Sequence, residues 1–339
     1  MRKHLRATSA KLVAQTDRAW RRRRAHVVQL IAAAGVTLVA ACGTGTTTAA
    51  PAASTTGFPL TIKGGNGATI TLAKRPSHIV SLSPTATEML FAISAGSQVV
   101  AVDDQSNYPS SAPMTKLSGF QPNIEAITTY SPDLVVASDD IGGLVHGLSA
   151  ASVPVLIEPA AKDLNGAYAE IQQLGMATGH EANATSVVQK MRSDVATVVA
   201  SVHKPPRPLS VYHELDETHY SATSHTFIGQ AYSLLGLRNI ADNASSSVPD
   251  YPQLSAEYIV SANPDLIVLA DTKCCHRDGW TIAARPGWSA IAAVKRGEIV
   301  AADDDIASRW GPRFVDFLRL VGQHVAELER QASAPAASA

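Results

Sequence analysis

The chain has 339 residues, 45% of them apolar and 17% charged, with 28 Lys+Arg against 29 Asp+Glu. That balance hides a split: residues 1–42 hold nine basic residues and one acid, so residues 43–339 carry 19 basic and 28 acidic groups, a charge of about −9. An acidic body with no Lys/Arg-dense stripe argues against nucleic acid as partner, because phosphate neutralisation supplies most non-specific affinity there, and against an anionic membrane surface as a direct partner. The composition is globular, and roughly 300 residues exceed one ordinary core, which predicts two lobes.

In chain order, a basic segment ending at Arg24 precedes Leu30 to Ala41, whose only polar member is Thr37. Such a stretch is too short for a bilayer, which needs roughly 20 residues, but suits the core of a signal peptide, so residues 1–41 are predicted to direct export. The run Val39-Ala40-Ala41-Cys42 resembles the lipobox of bacterial lipoproteins. That resemblance implies Cys42 as the lipidated first residue of the mature chain, anchored at the outer face of the cytoplasmic membrane and touching the membrane through lipid alone. Gly43 to Thr56 are small and polar and predict, within residues 42–57, a flexible tether reaching at most about 50 Å. Residues 331–339 have a similar composition and read as a disordered tail.

Leu60-Thr61-Ile62 and Thr69 to Leu72 flank Asn66-Gly67, which predicts a β-hairpin. A strand over 78–82, a helix over 84–94 capped by Ser83, and strands over 98–102 and 153–157 follow. Between them lies a segment that recurs at an offset of 132: Asn123 to Asp139 matches Ser255 to Asp271, sharing Glu125/Glu257, Ile127/Ile259, Pro132/Pro264, Asp133/Asp265, Leu134/Leu266, Val136/Val268 and Asp139/Asp271. Each copy reads as a short helix, a Pro-Asp stop and a buried parallel strand. The second half adds strands over 209–213 and 299–302 and helices over 227–235 and 312–330. Between the halves, Val187, Val188, Met191, Val195, Val198, Val199 and Val202 form one apolar face that ends at Pro205, Pro206 and Pro208, predicting one helix of roughly 24 residues, about 36 Å. The expected fold is α/β: lobes at 58–178 and 205–330, each with a mostly parallel sheet flanked by helices, joined by a long helix within 179–204.

The hairpin, HIVSLSPTATEML, Ser106-Asn107-Tyr108-Pro109, the QPNIEAI…PDLVV unit, the long helix and SRWGPR together resemble the vitamin B12 and ferric-siderophore binding proteins of ABC importers, over about residues 58–329. The resemblance implies a monomer that captures a metal-chelate solute between its lobes and delivers it to a permease with an ATPase subunit, with no catalysis and no cofactor beyond the lipid. It assigns Glu125 and Glu257 to permease docking. Both also sit in the first turn of a capped helix, where a carboxylate is favoured by the helix dipole. It implies Tyr108, Phe120 and Tyr251 as apolar cleft residues, with Phe and Tyr where the B12 binder uses tryptophan, and Asp305 and Arg309 as a polar pair facing solute. An ion pair bracing the lobe is the other reading of that pair.

His213 to Tyr220 is rich in potential ligands after a strand, so His213 and Tyr220 are further solute candidates, and a bare zinc or manganese site is the alternative that His and carboxylates would suit. Cys274, Cys275 and His276 follow the strand of the second repeat at a cleft mouth, where adjacent cysteines form either a disulfide or soft ligands. An exported hydrolase using acids near His213 or Asp303 to Asp305 is the reading from another class, and a non-transporting surface protein of the same fold is a third. No Walker A, Gly-x-Ser-x-Gly or HExxH pattern occurs. With only Arg309 and Arg277 near the expected cleft, the solute expectation leans to a corrinoid over an anionic ferric siderophore or heme.

Overall fold

The computed structural model describes residues 57–202, 207–244 and 248–333; the expected export signal, Cys42, nearly all of the tether and residues 334–339 lie outside those described. Leu60–Lys63 (β1) and Thr69–Leu72 (β2) form the expected antiparallel hairpin, Leu60 opposite Leu72. Ile79–Leu82 (β3) leads through Ser83 into Pro84–Ala92 (α1), where Ser83 Oγ accepts the Ala86 amide and Pro84 occupies the first turn, whose amide would have no helical partner anyway. Val99–Asp103 (β4), Met114–Leu117 (β5), Ile124–Thr128 (α2), Leu134–Ala137 (β6), Leu144–Ser149 (α3), Val155–Ile157 (β7) and Leu164–Thr178 (α4) complete a first lobe whose parallel strands run β5-β4-β3-β6-β7.

The connector is Glu181–Ser201 (α5), 21 residues and about 31 Å long. The second lobe then runs Ser210–Glu214 (β8), Phe227–Leu234 (α6), Arg238–Asn239 (β9), Ala256–Ala262 (α7), Leu266–Leu269 (β10), Gly279–Ala283 (α8), Ala292–Arg296 (α9), Ile299–Ala301 (β11), Asp304–Ser308 (α10) and Phe314–Ser333 (α11). Its parallel sheet has the order β11-β10-β8-β9. The last helix runs three residues into the segment expected to be disordered. Several elements, β5 and α4 among them, have no counterpart in the sequence pattern. Within α4, Gly166 and Gly175 weaken the helical signal, yet Gly175 is what seats α4 on α5: a Cβ there would stand 2.5 Å from that of Ala184.

The duplicated unit does the same mechanical work twice. Asp133 accepts the amides of Ser77 and His78, tying the start of β6 to the start of β3. Asp265 accepts the Ser210 amide and hydroxyl, tying β10 to β8, and also binds Arg207 and Arg296. Alternation along the strands then divides the apolar side chains. Leu134 and Val136 of β6, and Leu266 and Val268 of β10, enter one core that continues through α1, α4, α5, α6 and α11 from lobe to lobe. Val135 and Ala137 face a second core covering the outer side of the first sheet, and Ile267 and Leu269 a third covering the outer side of the second.

A set of polar bonds closes the lobes on the side of the strand carboxyl ends. Glu88 on α1, its side chain 1% exposed, receives Arg309 Nη1 at 2.8 Å and Arg313 Nε at 2.9 Å from the second lobe. Arg309 also donates to Asn107 Oδ1, the Gln105 carbonyl and Asp305, and Asn107 Nδ2 donates to Asp305. Trp310 Nε1 donates to Glu170 on α4 at 2.6 Å. Burial pushes the Glu170 carboxyl well up, and the Trp310 bond only partly offsets that shift.

Removing one partner from a buried ion cluster leaves the others uncompensated, so Glu88→Gln is expected to cost about 3 kcal/mol in denaturant unfolding; a loss below about 1 kcal/mol, the scale of an exposed pair, would show that the clamp carries no weight. Asp265 gives a second expectation. Burial alone would raise its pKa, but the bonds from Arg207, Ser210 and Arg296 hold it at about 2, below the ordinary 3.8. Its contribution, about 2 kcal/mol, is therefore complete above the ordinary value and lost as pH falls through about 2. Asp265→Asn should lower Tm at pH 7 and flatten the acid limb of the Tm profile; a wild-type acid limb retained in the variant would refute it.

Candidate functional site

The loops after β4 and β11 meet at the lobe junction, so the carboxyl ends of both sheets open toward one cleft. Ligands of open parallel sheets lie at such ends. Tyr108, on the loop after β4, is 45% exposed, and the Arg313 guanidinium lies 4.0 Å over one face of its ring. Tyr108, Pro109, Phe91, Pro312 and Arg313 line a cavity of about 270 Å³ spanning the junction, with Glu88 in its wall. Phe120, after β5, is 73% exposed, held out by a turn in which Ser118 Oγ accepts the amides of Phe120 and Gln121. Gly119 is required beneath it, since a Cβ would meet the Leu82 carbonyl at 2.5 Å.

In the second lobe, the segment after β8 folds back on residues 250–254. The Ser221 amide donates to the Pro252 carbonyl, the Leu254 amide to the His219 carbonyl, and Tyr220 bridges Gln253. This pairing sets Tyr220 and Tyr251, 36% and 41% exposed, on adjoining strands of one rim. Asp305 and Arg309 are bonded to each other at 2.7 Å, and Arg309 is spent on four protein acceptors, with Lys273 completing Asp305. Burial would raise the Asp305 pKa, but Lys273, Asn107 and Arg309 hold it low. The pair is a strut of the junction in this structure.

His213 corrects the sequence reading. It lies on β8 itself, fully buried between Tyr232, whose hydroxyl is 2.5 Å from Nδ1, and Phe317. Burial pushes its pKa down to about 3, so it stays a neutral core residue out of reach of any solute. No group of three or more His, Cys, Asp or Glu able to hold a metal ion occurs among the described residues. Cys274 and Cys275 are joined as a disulfide on the loop after β10, and His276, next along, is exposed with φ +53°.

Sequence reasoning missed a charged group under this rim. Arg285 forks onto Glu214 with two bonds of 2.6 Å, and its guanidinium lies over Trp288. Beside them Asp271 is fully buried, raised to about 7 by burial and by the neighbouring Glu214 charge. The repeat marks Asp271, but its equivalent Asp139 is exposed, so the pattern carried no signal of burial. Trp280 on α8 is 86% exposed and was equally unmarked. Its helix is fixed by an Asp278–Thr281 capping box and by buried Ile282, which turns the indole outward.

Glu125 and Glu257 both stand exposed in the first turns of α2 and α7, capped by Asn123 and Ser255. The helix amide and the Ser255 hydroxyl hold the Glu257 carboxyl below its usual range, keeping it ionised.

With this geometry in place, the likeness to known proteins is specific. The chain is 30% identical over 268 residues to the uncharacterized ABC transporter substrate-binding lipoprotein YvrC of Bacillus subtilis, covering 76% of this chain and 83% of that protein. It is 32% identical over 270 residues to a cobalamin-binding protein of Halobacterium salinarum, covering 76% and 72%. The crystal structure of the periplasmic vitamin B12 binding protein BtuF of Vibrio cholerae superposes with a TM-score of 0.62 at 24% identity, over 75% of this chain and 98% of that one, and shares its fold. The Periplasmic binding protein family matches residues 79–306, and to that family this chain belongs.

Proposed function

We propose that the protein is the extracytoplasmic solute-binding lipoprotein of an ABC importer, anchored through Cys42, which holds a metal chelate between its lobes and presents it to a permease energised by a partner ATPase. The observation that carries this reading is the set of exposed aromatics on loop segments of both lobes: Tyr108, at the junction, and Phe120 from the first, Tyr220 and Tyr251 from the second. Rigid aromatic rings offer large apolar area at low ordering cost, which suits a broad, flat-faced solute. Arg309 is taken up by the clamp, so the rim offers little free positive charge to an anionic siderophore. A corrinoid therefore remains the favoured solute, in keeping with the name of the Halobacterium relative.

Bare zinc or manganese finds no donor set among the described residues. The hydrolase reading fares no better. Asp304 is occupied by the Thr272 hydroxyl and two amides, and Asp303 and Asp305 by Lys273, which leaves no free acid and base facing each other there.

Titrating the purified chain with cyanocobalamin, cobinamide, hemin and a ferric hydroxamate, read by tryptophan fluorescence, is expected to give saturable quenching with the corrinoids at micromolar or tighter affinity, about −8 kcal/mol. Silence to all four would remove the metal-chelate reading, and response to hemin or the hydroxamate alone would reassign the solute. Glu125 and Glu257 supply the second test. Charge pairing of this kind governs encounter and register, so the double variant Glu125→Arg, Glu257→Arg should keep solute affinity while cellular uptake falls by about tenfold or more. Normal uptake by the variant would end the docking assignment.

A further inference from the structure

The Cys274–Cys275 disulfide lies on a loop with more anchors than its exposure requires. Asp304, at the start of α10, accepts the Thr272 hydroxyl at 2.7 Å and the amides of Lys273 and Cys274 at 3.0 and 2.9 Å. The Asp271 carbonyl accepts the Cys275 amide at 3.2 Å. Four successive residues are thus each fixed to the frame. Lys273 Nζ then binds Asp303 at 2.8 Å and Asp305 at 2.7 Å, and the same Asp305 oxygen accepts Asn107 Nδ2 of the other lobe at 3.0 Å. At its far end Arg277 binds Glu217 of the loop after β8, which continues to Tyr220. The disulfide thus lies on a loop tied at Lys273 to the lobe junction and at Arg277 to the segment that leads to Tyr220, with Cys274 exposed.

We propose that this disulfide forms one wall of the solute cleft and that its thiol–disulfide state sets how firmly the solute is held. The inference rests on the solute-binding reading given above. In the oxidised state the linked sulfurs present a fixed, polarisable apolar surface, the kind of contact sulfur makes well with a flat conjugated ring. Reduction separates them into two thiols with polar S–H groups and frees a segment anchored in the second lobe and linked to the first through Asp305.

The reductant is a dithiol. One of its sulfurs, as thiolate, attacks the exposed Cys274 sulfur; the protein S–S bond breaks and Cys275 leaves as thiolate. The second dithiol sulfur attacks the first, closing the reductant's own disulfide and releasing Cys274 as thiolate. The two protons given up by the dithiol end on Cys274 and Cys275, so two electrons and two protons pass to the protein.

The test uses the full chain, as purified or reduced with dithiothreitol and desalted without oxygen, titrated calorimetrically with cyanocobalamin and, in parallel, hemin. The redox state is read from the mass of the tryptic peptide Cys274 to Arg277 after alkylation. Reduction is expected to weaken binding by about tenfold. The double variant Cys274→Ser, Cys275→Ser should bind as the reduced protein does, with or without dithiothreitol. Equal affinity in both states, within about twofold, overturns the proposal, as does a peptide already carrying two free thiols as purified. If neither probe binds either state, the transport reading falls. The loop is then judged by hydrogen exchange, where unchanged protection of residues 272–277 and 105–108 on reduction overturns it.

Discussion

The spacing of the two lobes is held by a single buried carboxylate. Glu88 enters from the first lobe, Arg309 and Arg313 from the second, and Asn107 and Asp305, from opposite lobes, bond each other and the same Arg309. A charge so deeply placed is tolerated only because two guanidiniums and their further acceptors surround it. Behind it the apolar core runs unbroken from α1 through α5 to α11. A pair of lobes joined by a loop swings freely; these share both a core and an ion cluster. Close-packed interiors of this kind do not deform continuously, so the shared core and the ion cluster oppose a change in the spacing of the lobes.

The duplication shows which features of such a frame are mechanical. Pro132-Asp133 and Pro264-Asp265 recur because each stops a helix and then ties its strand to the next through the carboxylate. Glu125 and Glu257 recur on equally capped helices and stay exposed. Asp139 and Asp271 recur in sequence but part in structure, one exposed and the other buried beside Glu214 and Arg285. Where the copies diverge, the second lobe has acquired a charged layer under its rim.

Legibility in the sequence followed the range of the interaction. The hairpin, the Ser83 cap, both repeated units and the connector depend on neighbours within a few residues, and periodicity and turn chemistry revealed them. Helix α4 was hidden because Gly166 and Gly175 lower its propensity while tertiary packing on α5 restores it. Strand β5 is a four-residue edge with little alternation. At the site, Tyr108, Phe120, Tyr220 and Tyr251 are exposed, whereas His213, polar and next to acids in sequence, points into the core by the alternation of β8. Apart from Asp305, the partners of Arg309 lie more than 200 residues away, a relation that no local pattern encodes.

A rigid frame with an aromatic rim has a consequence for the kind of solute it serves. Binding proteins that close around a small polar solute use closure itself to create the site, and part of the binding energy goes into ordering. Here the clamp, the anchored disulfide loop and the paired segments around Tyr220 and Tyr251 are each tied by bonds within the chain itself. Little ordering remains to be done, and affinity then depends on how well a preformed apolar surface matches the ligand's faces. Such a cleft discriminates by shape and area more than by charge, which is the property the proposed solute, a bulky chelate whose metal is already wrapped by its own ligands, would call on.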